Sequence, residues 1–136
     1  MKKEGDLKTP RGKFKFILLL YRKDRNHNFL CKIKKKIIKK NMGWCDDPNS
    51  KFYNRLIKIK KNLKISHEKL YRKDHKYDFF ILIKYNYKNT IKSKGSAIFL
   101  HLTKNYLPTK GCIALCEKDF LILAKLINKK TKIKIN

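Results

Sequence analysis

At 136 residues the chain has the length of one domain with a single core. Hydrophobic residues make up 42% of it and aromatic residues 12%, which is enough apolar material to argue against intrinsic disorder. The formal net charge of +27 suits a polyanionic partner, but most basic residues are lysines spread along the whole chain. Because base-reading side chains are usually arginine, we interpret the charge as a solvated surface and expect no nucleic-acid partner.

The sequence shows neither a membrane span nor an export signal. The longest apolar run, residues 16–21, has the length of a strand, whereas a membrane-spanning helix needs roughly 18 residues. The basic start is followed by Glu4, Gly5 and Asp6, where a signal peptide would begin its apolar segment. We therefore expect no transmembrane segment and no signal peptide.

The first third of the chain reads as loops that lead into strands. Turn-forming residues give way to alternating Lys and Phe at 13–16, which predicts a loop entering a β-strand. A weaker alternation over 29–38 is also strand-like. Residues 41–50 combine turn formers with a tryptophan, a cysteine and two carboxylates, and this mixture predicts a loop. Trp44 in that loop either fills the core or lines a pocket.

The middle of the chain is less regular. Residues 55–63 alternate apolar and basic positions, which is typical of an exposed strand or a loop. Ser66 is a potential N-cap, so residues 66–70 are predicted to start a helix or turn that orders His67. A single histidine beside a glutamate is more often a structural hydrogen-bonding group than a catalyst.

The remaining elements are clearer. The continuous apolar run 79–83 predicts a strand buried on both faces, and residues 96–102 predict the next strand. Apolar residues then recur at spacings of three and four from about Glu117, which predicts an amphipathic helix. The alternating tail 132–135 predicts an edge strand protected by lysines. The whole is a mostly β domain with one late helix.

The four cysteines form no CxxC pair. Cys112 and Cys116 are four positions apart, which on a helix would place them on one face, and His101 could be imagined as a third zinc ligand. Zinc knuckles use closer cysteine pairs, however. We therefore expect no metal and no cofactor, and interpret the cysteines as free or buried.

Cys112 and His101 together suggest nucleophilic catalysis. A thiolate can attack a carbonyl while an imidazole takes and returns the proton. Cys112 directly follows Gly111, whose lack of a β-carbon allows a tight turn that presents backbone N–H groups to an oxyanion. His101 lies at the end of a predicted strand, and the connection to Cys112 is long enough to fold back. A buried, unreactive cysteine is equally compatible with these residues alone.

Several segments resemble one known family. Residues 95–101, Gly-Ser-Ala-Ile-Phe-Leu-His, and 108–115, Pro-Thr-Lys-Gly-Cys-Ile-Ala-Leu, resemble the catalytic signature of the YkuD-type L,D-transpeptidase domain. Residues 9–14, Thr-Pro-Arg-Gly-Lys-Phe, resemble its Thr-Pro-x-Gly-x-Phe segment, and residues 43–48 and 66–68 resemble further segments in the same order. The resemblance implies one catalytic domain over residues 1–136 with a mostly β (α+β) fold, a YkuD-like mixed β-sandwich with a short helix after the catalytic cysteine.

The resemblance also implies a function. The family acts on peptidoglycan stem peptides in the cell envelope or periplasm, without a cofactor. Cys112 would attack the carbonyl between the L-centre of a diamino acid and the terminal D-alanine, with His101 as base. An amine from another stem would give a 3,3 cross-link, and water would make the enzyme an L,D-carboxypeptidase. The alternative from another class is a non-catalytic basic protein that binds nucleic acid or an anionic wall polymer.

By the same resemblance, the N–H groups around Gly111 and Cys112 form the oxyanion hole, and the carbonyl of Leu102 orients the imidazole. Candidate substrate-binding residues are His67, Trp44 and Thr109. We expect a monomer.

The sequence departs from the family pattern at three places. Many members have glycine after the histidine, where this chain has Leu102, and arginine two places after the cysteine, where it has Ala114. That arginine commonly helps to hold the substrate, so His67 or a nearby lysine would have to replace it. Relatives also have a further strand before the segment at Gly5, and we expect this chain to lack it.

Overall fold

The computed structural model describes residues 6–25, 28–87, 89–92, 94–106, 109 and 111–136. Over these residues the fold is mostly β with one helix, which confirms the predicted fold class. The elements in chain order are β1 (Gly12–Tyr21), β2 (Lys35–Ile37), β3 (Met42–Cys45), β4 (Leu56–Lys58), β5 (His67–Lys69), β6 (Phe79–Ile83), β7 (Ile98–Leu102), β8 (Ile113–Leu115), α1 (Glu117–Leu126) and β9 (Lys132–Ile135). None of the described helical residues forms a helix long and apolar enough to cross a membrane.

The strands form two sheets. The larger has the order β2-β1-β6-β7-β8, with β9 paired to the first residues of β1, and the smaller has the order β4-β3-β5. Pairing is parallel between β1 and β2 and between β7 and β8, and antiparallel elsewhere. The larger sheet is the middle layer, because α1 packs on one of its faces and the smaller sheet packs on the other.

A β-bulge lets β1 serve both faces of the larger sheet. The register shifts between Phe16 and Leu18, so even-numbered residues before the bulge and odd-numbered residues after it pack in the core beneath α1. Leu20, beyond the bulge, packs in the other core, against the smaller sheet. The change from Lys-Phe alternation to a continuous apolar run therefore marks the point where both faces become covered.

β6 and β7 lie at the centre of the larger sheet and position the site. All five residues of each strand are buried, as the continuous apolar run of β6 predicts. Alternate residues of β7 point to opposite faces. Leu100 packs beneath α1, while Phe99 packs toward the smaller sheet and His101, two positions on, shares that side. In the antiparallel pairing of β7 with β6, His101 lies opposite Phe80.

Two of the predicted late elements are confirmed. α1 begins at Glu117, with acidic residues in its first turn and Lys125 in its last, where each favours the helix dipole. Phe120 and Ala124 are its buried residues. The tail forms β9, which pairs with β1.

Several predicted elements were wrong. Residues 66–70 do not start a helix, because His67–Lys69 pairs with β3 and Ser66 Oγ donates to Asp46 Oδ1 at 2.6 Å instead of capping. The predicted loop 41–50 contains the buried strand Met42–Cys45. The predicted strand over 29–38 is reduced to β2. The stretch 55–63, predicted as an exposed strand or a loop, forms the strand Leu56–Lys58 followed by a loop.

Cys112 and Cys116 do not share a helix face, because Ile113–Leu115 between them forms β8. The parallel pairing of β8 with β7 holds this segment extended. The sequence gives little sign of β8, since three apolar residues next to a helical periodicity fit either state.

Candidate active site

The turn at Gly111 accepts only glycine. Its φ is +108°, a conformation that L side chains rarely adopt, and an added β-carbon would lie 2.6 Å from the carbonyl oxygen of Lys8. The hydroxyl of Thr9 donates to the carbonyl oxygen of Gly111 at 2.9 Å. The Thr-Pro segment near the N-terminus is thus packed directly against the turn that precedes Cys112.

Cys112 lies level with Phe99 at the edge of the larger sheet. The parallel register pairs Leu100 with Ile113, which brings the preceding residue of each strand together. The backbone N–H of Phe99 donates to Cys112 Sγ at 3.4 Å. This contact holds the sulfur of Cys112 against the backbone of β7.

His101 has the hydrogen bonding expected of a general base. Its Nδ1 lies 2.9 Å from the carbonyl oxygen of Leu102, a contact that requires the proton on Nδ1. Nε2 is buried and has no hydrogen-bond partner among the described residues. The ring therefore turns an unprotonated nitrogen into the protein interior, on the side of β7 that also carries Phe99.

The electrostatic environment keeps His101 neutral. Burial lowers the pKa of the imidazole, the hydrogen bond to the Leu102 carbonyl raises it, and the positive charges of Lys76 and Arg72 lower it further. The net direction is downward from the ordinary value. A neutral imidazole at neutral pH can accept a proton from a thiol.

Tyr77 connects the histidine with the cysteine. Its ring meets the ring of His101 edge to face, with the centroids 5.7 Å apart. Burial raises the pKa of Tyr77, and the nearby charges of Glu68 and Cys112 raise it further. Its hydroxyl donates a short hydrogen bond to Glu68 Oε1. Tyr77 therefore lies against the ring of His101, and it belongs to the apolar cluster against which Cys112 packs.

Sequence reasoning missed Tyr77. It directly precedes the predicted strand 79–83, and nothing distinguishes it there from the neighbouring core aromatics. The contact between Tyr77 and His101 becomes visible only in the folded chain, where the antiparallel pairing of β6 with β7 sets Phe80 opposite His101.

A cavity of about 770 Å³ opens beside His101. Within the described part of the chain, its lining includes His101 and Thr109, while the half-buried Cys112 is not one of the lining residues. The lining residues are Asp74, His75, Lys76, Asp78, His101, Leu102, Thr103, Lys104, Asn105, Thr109, Cys116 and Glu117.

Two arginines fix the wall of this cavity that comes from the β5–β6 connection. Arg22 is 4% exposed and donates to the carbonyl oxygen of Arg72 at 2.7 Å. Arg25 donates to the carbonyl oxygen of Asp74 at 2.7 Å and pairs with Asp78 Oδ1 at 2.7 Å. These contacts tie the wall to the chain directly after β1, a connection that sequence spacing does not reveal.

Lys76 lies in this wall, and its positive charge helps to lower the pKa of His101. Its carbonyl oxygen accepts the N–H of Leu102 at 3.1 Å. Its ammonium lies 5.8 Å from the Tyr77 ring centroid and takes part in none of the ion pairs among the described residues. By contrast, Asp74 in the same lining is paired with Arg72 at 2.6 Å.

The structure brings together Cys112, His101, Gly111, Leu102 and Thr109. The hydroxyl of Thr109 donates a short hydrogen bond to the carbonyl oxygen of Cys112 and accepts the N–H of Gly111 at 3.3 Å. Thr109 thus braces the turn on which Cys112 lies.

Trp44 and His67 lie outside the cavity lining. Trp44 is 3% exposed, packs against the ring of Phe99 and donates from Nε1 to Asn54 Oδ1 at 3.1 Å. His67 has Nδ1 2.6 Å from the carbonyl oxygen of Ile65. Trp44 thus contacts Phe99, whose N–H meets the sulfur of Cys112.

None of the described cysteines forms a disulfide. The described residues contain no group of three or more His, Cys, Asp or Glu side chains arranged to hold a metal ion.

Comparison with known families identifies one match. The model of the YkuD family, the L,D-transpeptidase catalytic domain, matches residues 1–135. No curated protein and no solved structure matches the chain. Since the match spans nearly the whole sequence and includes Gly111, Cys112 and His101, the chain belongs to the YkuD family of L,D-transpeptidase catalytic domains.

Proposed function

We propose that the chain is a cysteine L,D-transpeptidase that forms 3,3 cross-links between peptidoglycan stems through a thioester acyl-enzyme. The observation that carries the proposal is the state of His101, with Nδ1 bonded to the Leu102 carbonyl and a buried, unpartnered Nε2. This nitrogen lies on the same side of β7 as Phe99, whose N–H meets the sulfur of Cys112. A nucleophile, its base and the group that orients the base are thus supplied by adjacent strands.

In the first half-reaction, His101 Nε2 takes the thiol proton and the sulfur attacks the carbonyl carbon that precedes the terminal D-alanine. The tetrahedral oxyanion is stabilised by the N–H groups of Gly111 and Cys112, with the long bond from Gly111 to Thr109 exchanged for one to the oxyanion. The C–N bond then breaks, His101 returns the proton to the leaving amine, and D-alanine departs. Cys112 retains the stem as a thioester.

In the second half-reaction, the side-chain amine of another stem attacks the thioester carbonyl. His101 accepts a proton from this amine and returns it to the sulfur as the C–S bond breaks. The product contains a new amide between two diamino acids, which is the 3,3 cross-link. Water in place of the amine would release a tripeptide, and the same site would then act as an L,D-carboxypeptidase.

We further propose that Lys76 holds the substrate in place of the arginine that many relatives carry at the position of Ala114. Lys76 lines the cavity next to His101 and is unpaired among the described ion pairs. A D-alanine carboxylate would suit this ammonium, because Asp74 and Asp78 in the same wall are already neutralised by arginines. His67 is a weaker candidate, since it lies outside the cavity lining.

The test is incubation of the purified chain with tetrapeptide stems that end in a diamino acid and D-alanine, followed by mass spectrometry. We expect D-alanine release and a cross-linked dimer with the wild type, and neither product with Cys112→Ala. A tripeptide without dimer would support the carboxypeptidase. Equal turnover by the two proteins would contradict cysteine catalysis.

Cys45→Ala provides a control for loss of a thiol. Cys45 is fully buried in β3 and lies outside the cavity lining. Because a cavity left in the core costs stability, its variant should melt at a lower temperature while it retains D-alanine release at a permissive temperature. Loss of activity in Cys45→Ala alone would contradict the assignment of Cys112 as the nucleophile.

A further inference from the structure

Five exposed lysines form an array at the end of the larger sheet that carries β9. The antiparallel register places Lys13 directly opposite Lys134 and Lys15 directly opposite Lys132. The N–H of Lys84, just after β6, donates to the carbonyl oxygen of Lys15 at 2.9 Å and adds a fifth lysine from the third strand. All five are exposed, and we call them the lysine patch.

The four lysines of β1 and β9 share one face of the sheet. Phe14 and Ile133, which alternate with them, pack in the core beneath α1, so the lysines point to the opposite side. Residues directly opposite in an antiparallel pair have Cβ atoms about 4.5–5.5 Å apart. Two rows of such pairs bring four ammonium groups into a small area, and like charges in this position repel.

Within the described chain, no ion pair relieves this repulsion. The ion pairs there join arginine or histidine to aspartate near the β5–β6 connection, and none includes a lysine of the patch. An anion that bridges two ammonium groups would relieve it, and a chain of regularly spaced anions would relieve both rows together.

We propose that the lysine patch binds a linear polymer of phosphate groups without bases. Single-stranded nucleic acid is held by basic grooves with aromatic side chains that stack on the bases, and bases are often read by arginine. The two strands that carry the paired lysines contain no arginine, and the aromatic residue between Lys13 and Lys15, Phe14, faces the core beneath α1. A membrane-surface site would add apolar side chains that enter the headgroup layer, whereas Phe14 and Ile133 point away from the lysines. Lysine ammonium groups alone match phosphates as point charges.

The patch is separate from the candidate active site. β6 and β7 lie between β1 and β8 in the larger sheet, so at about 4.8 Å per strand the two regions are on the order of 14 Å apart. Polymer binding therefore needs neither Cys112 nor His101, and it would leave the cavity open.

The experiment measures the affinity of the full chain for long-chain inorganic polyphosphate over a range of salt concentrations. The patch variant carries Lys13→Gln, Lys15→Gln, Lys132→Gln and Lys134→Gln. The control variant carries four substitutions to Gln at exposed lysines in and after β4, namely Lys58, Lys60, Lys61 and Lys64. Both variants lose the same charge.

We expect the patch variant to bind at least about tenfold more weakly than the wild type, and the control variant to stay within about threefold. The slope of log affinity against log salt should become shallower by about three for the patch variant, because four phosphate contacts are lost. Equal weakening of both variants would overturn the proposal in favour of net charge alone.

Two comparisons distinguish binding of polyphosphate from binding of nucleic acid or an anionic membrane. A single-stranded thymidine oligonucleotide, or vesicles with phosphatidylserine, that bound more tightly than polyphosphate of equal charge would overturn the proposal. Thermal unfolding supplies a measurement independent of the ligand. Removal of the repulsion should leave the patch variant at least as stable as the wild type, and a lower melting temperature would contradict the repulsion on which the proposal rests.

Discussion

The hydroxyl of Thr9 donates to the carbonyl oxygen of Gly111 at 2.9 Å, joining residues that are 102 positions apart. This bond and the close approach of Lys8 hold the turn before Cys112 against the N-terminal segment. The position of Cys112 therefore depends on residues near the opposite end of the sequence.

Thr9→Val keeps the shape of the side chain and removes the donor. We expect a loss of about 1 kcal/mol in the free energy of unfolding, because the Gly111 carbonyl loses its partner. We also expect a fall of about tenfold in kcat/KM, because the turn no longer fixes the sulfur. Denaturant unfolding and D-alanine release measure the two effects.

Thr131→Val is the matched control, since its hydroxyl oxygen accepts the N–H of Asn128 at 3.0 Å in the turn before β9. It should lose stability but keep its kcat/KM. A similar loss of activity in both variants would show that Thr9 acts only through stability.

Gly111→Ala tests the turn itself. The added β-carbon meets the carbonyl of Lys8, and the positive φ is unfavourable for alanine, so we expect a loss of at least about 1–2 kcal/mol in stability together with loss of activity. Gly12→Ala shares a positive φ, but its nearest neighbour is the movable ring of Phe14 at 3.1 Å. Gly12→Ala should be destabilised and still release D-alanine. A Gly111→Ala variant that stayed active would contradict the requirement for glycine in the turn before Cys112.

The pH dependence of catalysis should report the lowered pKa of His101. Burial is its main cause, so kcat/KM should rise with pH through a pKa below the ordinary value of about 6.5 and level off near neutrality. A rising limb centred above neutral pH would contradict a neutral imidazole base.

Stability should follow pH through the same group. Below about 6.5 the unfolded chain binds a proton that the folded His101 resists, so the free energy of unfolding falls until the pH reaches the folded pKa. Above about pH 6.5, His101 adds nothing to the pH dependence of the free energy of unfolding. In denaturant unfolding between pH 5 and 7, His101→Gln should reduce the slope of the free energy of unfolding against pH. An unchanged slope would mean that other groups cause this pH dependence.

Lys76→Gln tests the proposed substrate contact. Loss of the ammonium should raise KM for tetrapeptide stems by about tenfold, with a much smaller change in kcat, because a charged hydrogen bond is worth about 1.5–3 kcal/mol. Lys73→Gln, on the same connection and outside the cavity lining, is the control. An equal effect on KM in the two variants would contradict a specific role for Lys76.

The elements predicted correctly are those whose pattern depends on burial. The apolar run of β6 and the spacing of Phe120 and Ala124 in α1 follow from the faces that these elements bury. The errors fall on short strands such as Met42–Cys45 and His67–Lys69, which are held by each other rather than by local preference. Three or four residues carry too little periodicity to reveal a partner that is distant in sequence.

For the site, the sequence marked Gly111, Cys112 and His101 through their residue types and spacing, and the resemblance added the carbonyl of Leu102. It could not reveal Tyr77 or Lys76, which reach His101 only through the packing of the β5–β6 connection. Such contacts depend on the pairing of β6 with β7 and on the arginines that fix the connection.

The most direct test of the account is the identity of the acylated residue. Tetrapeptide stems are mixed with the wild type, the reaction is quenched in acid, and the protein is digested and analysed by mass spectrometry. We expect an adduct with the mass of the stem without D-alanine, located on Cys112 by fragmentation of the peptide that also contains Cys116, and no adduct with Cys112→Ala. An adduct on Cys116, or one that persists in Cys112→Ala, would contradict it.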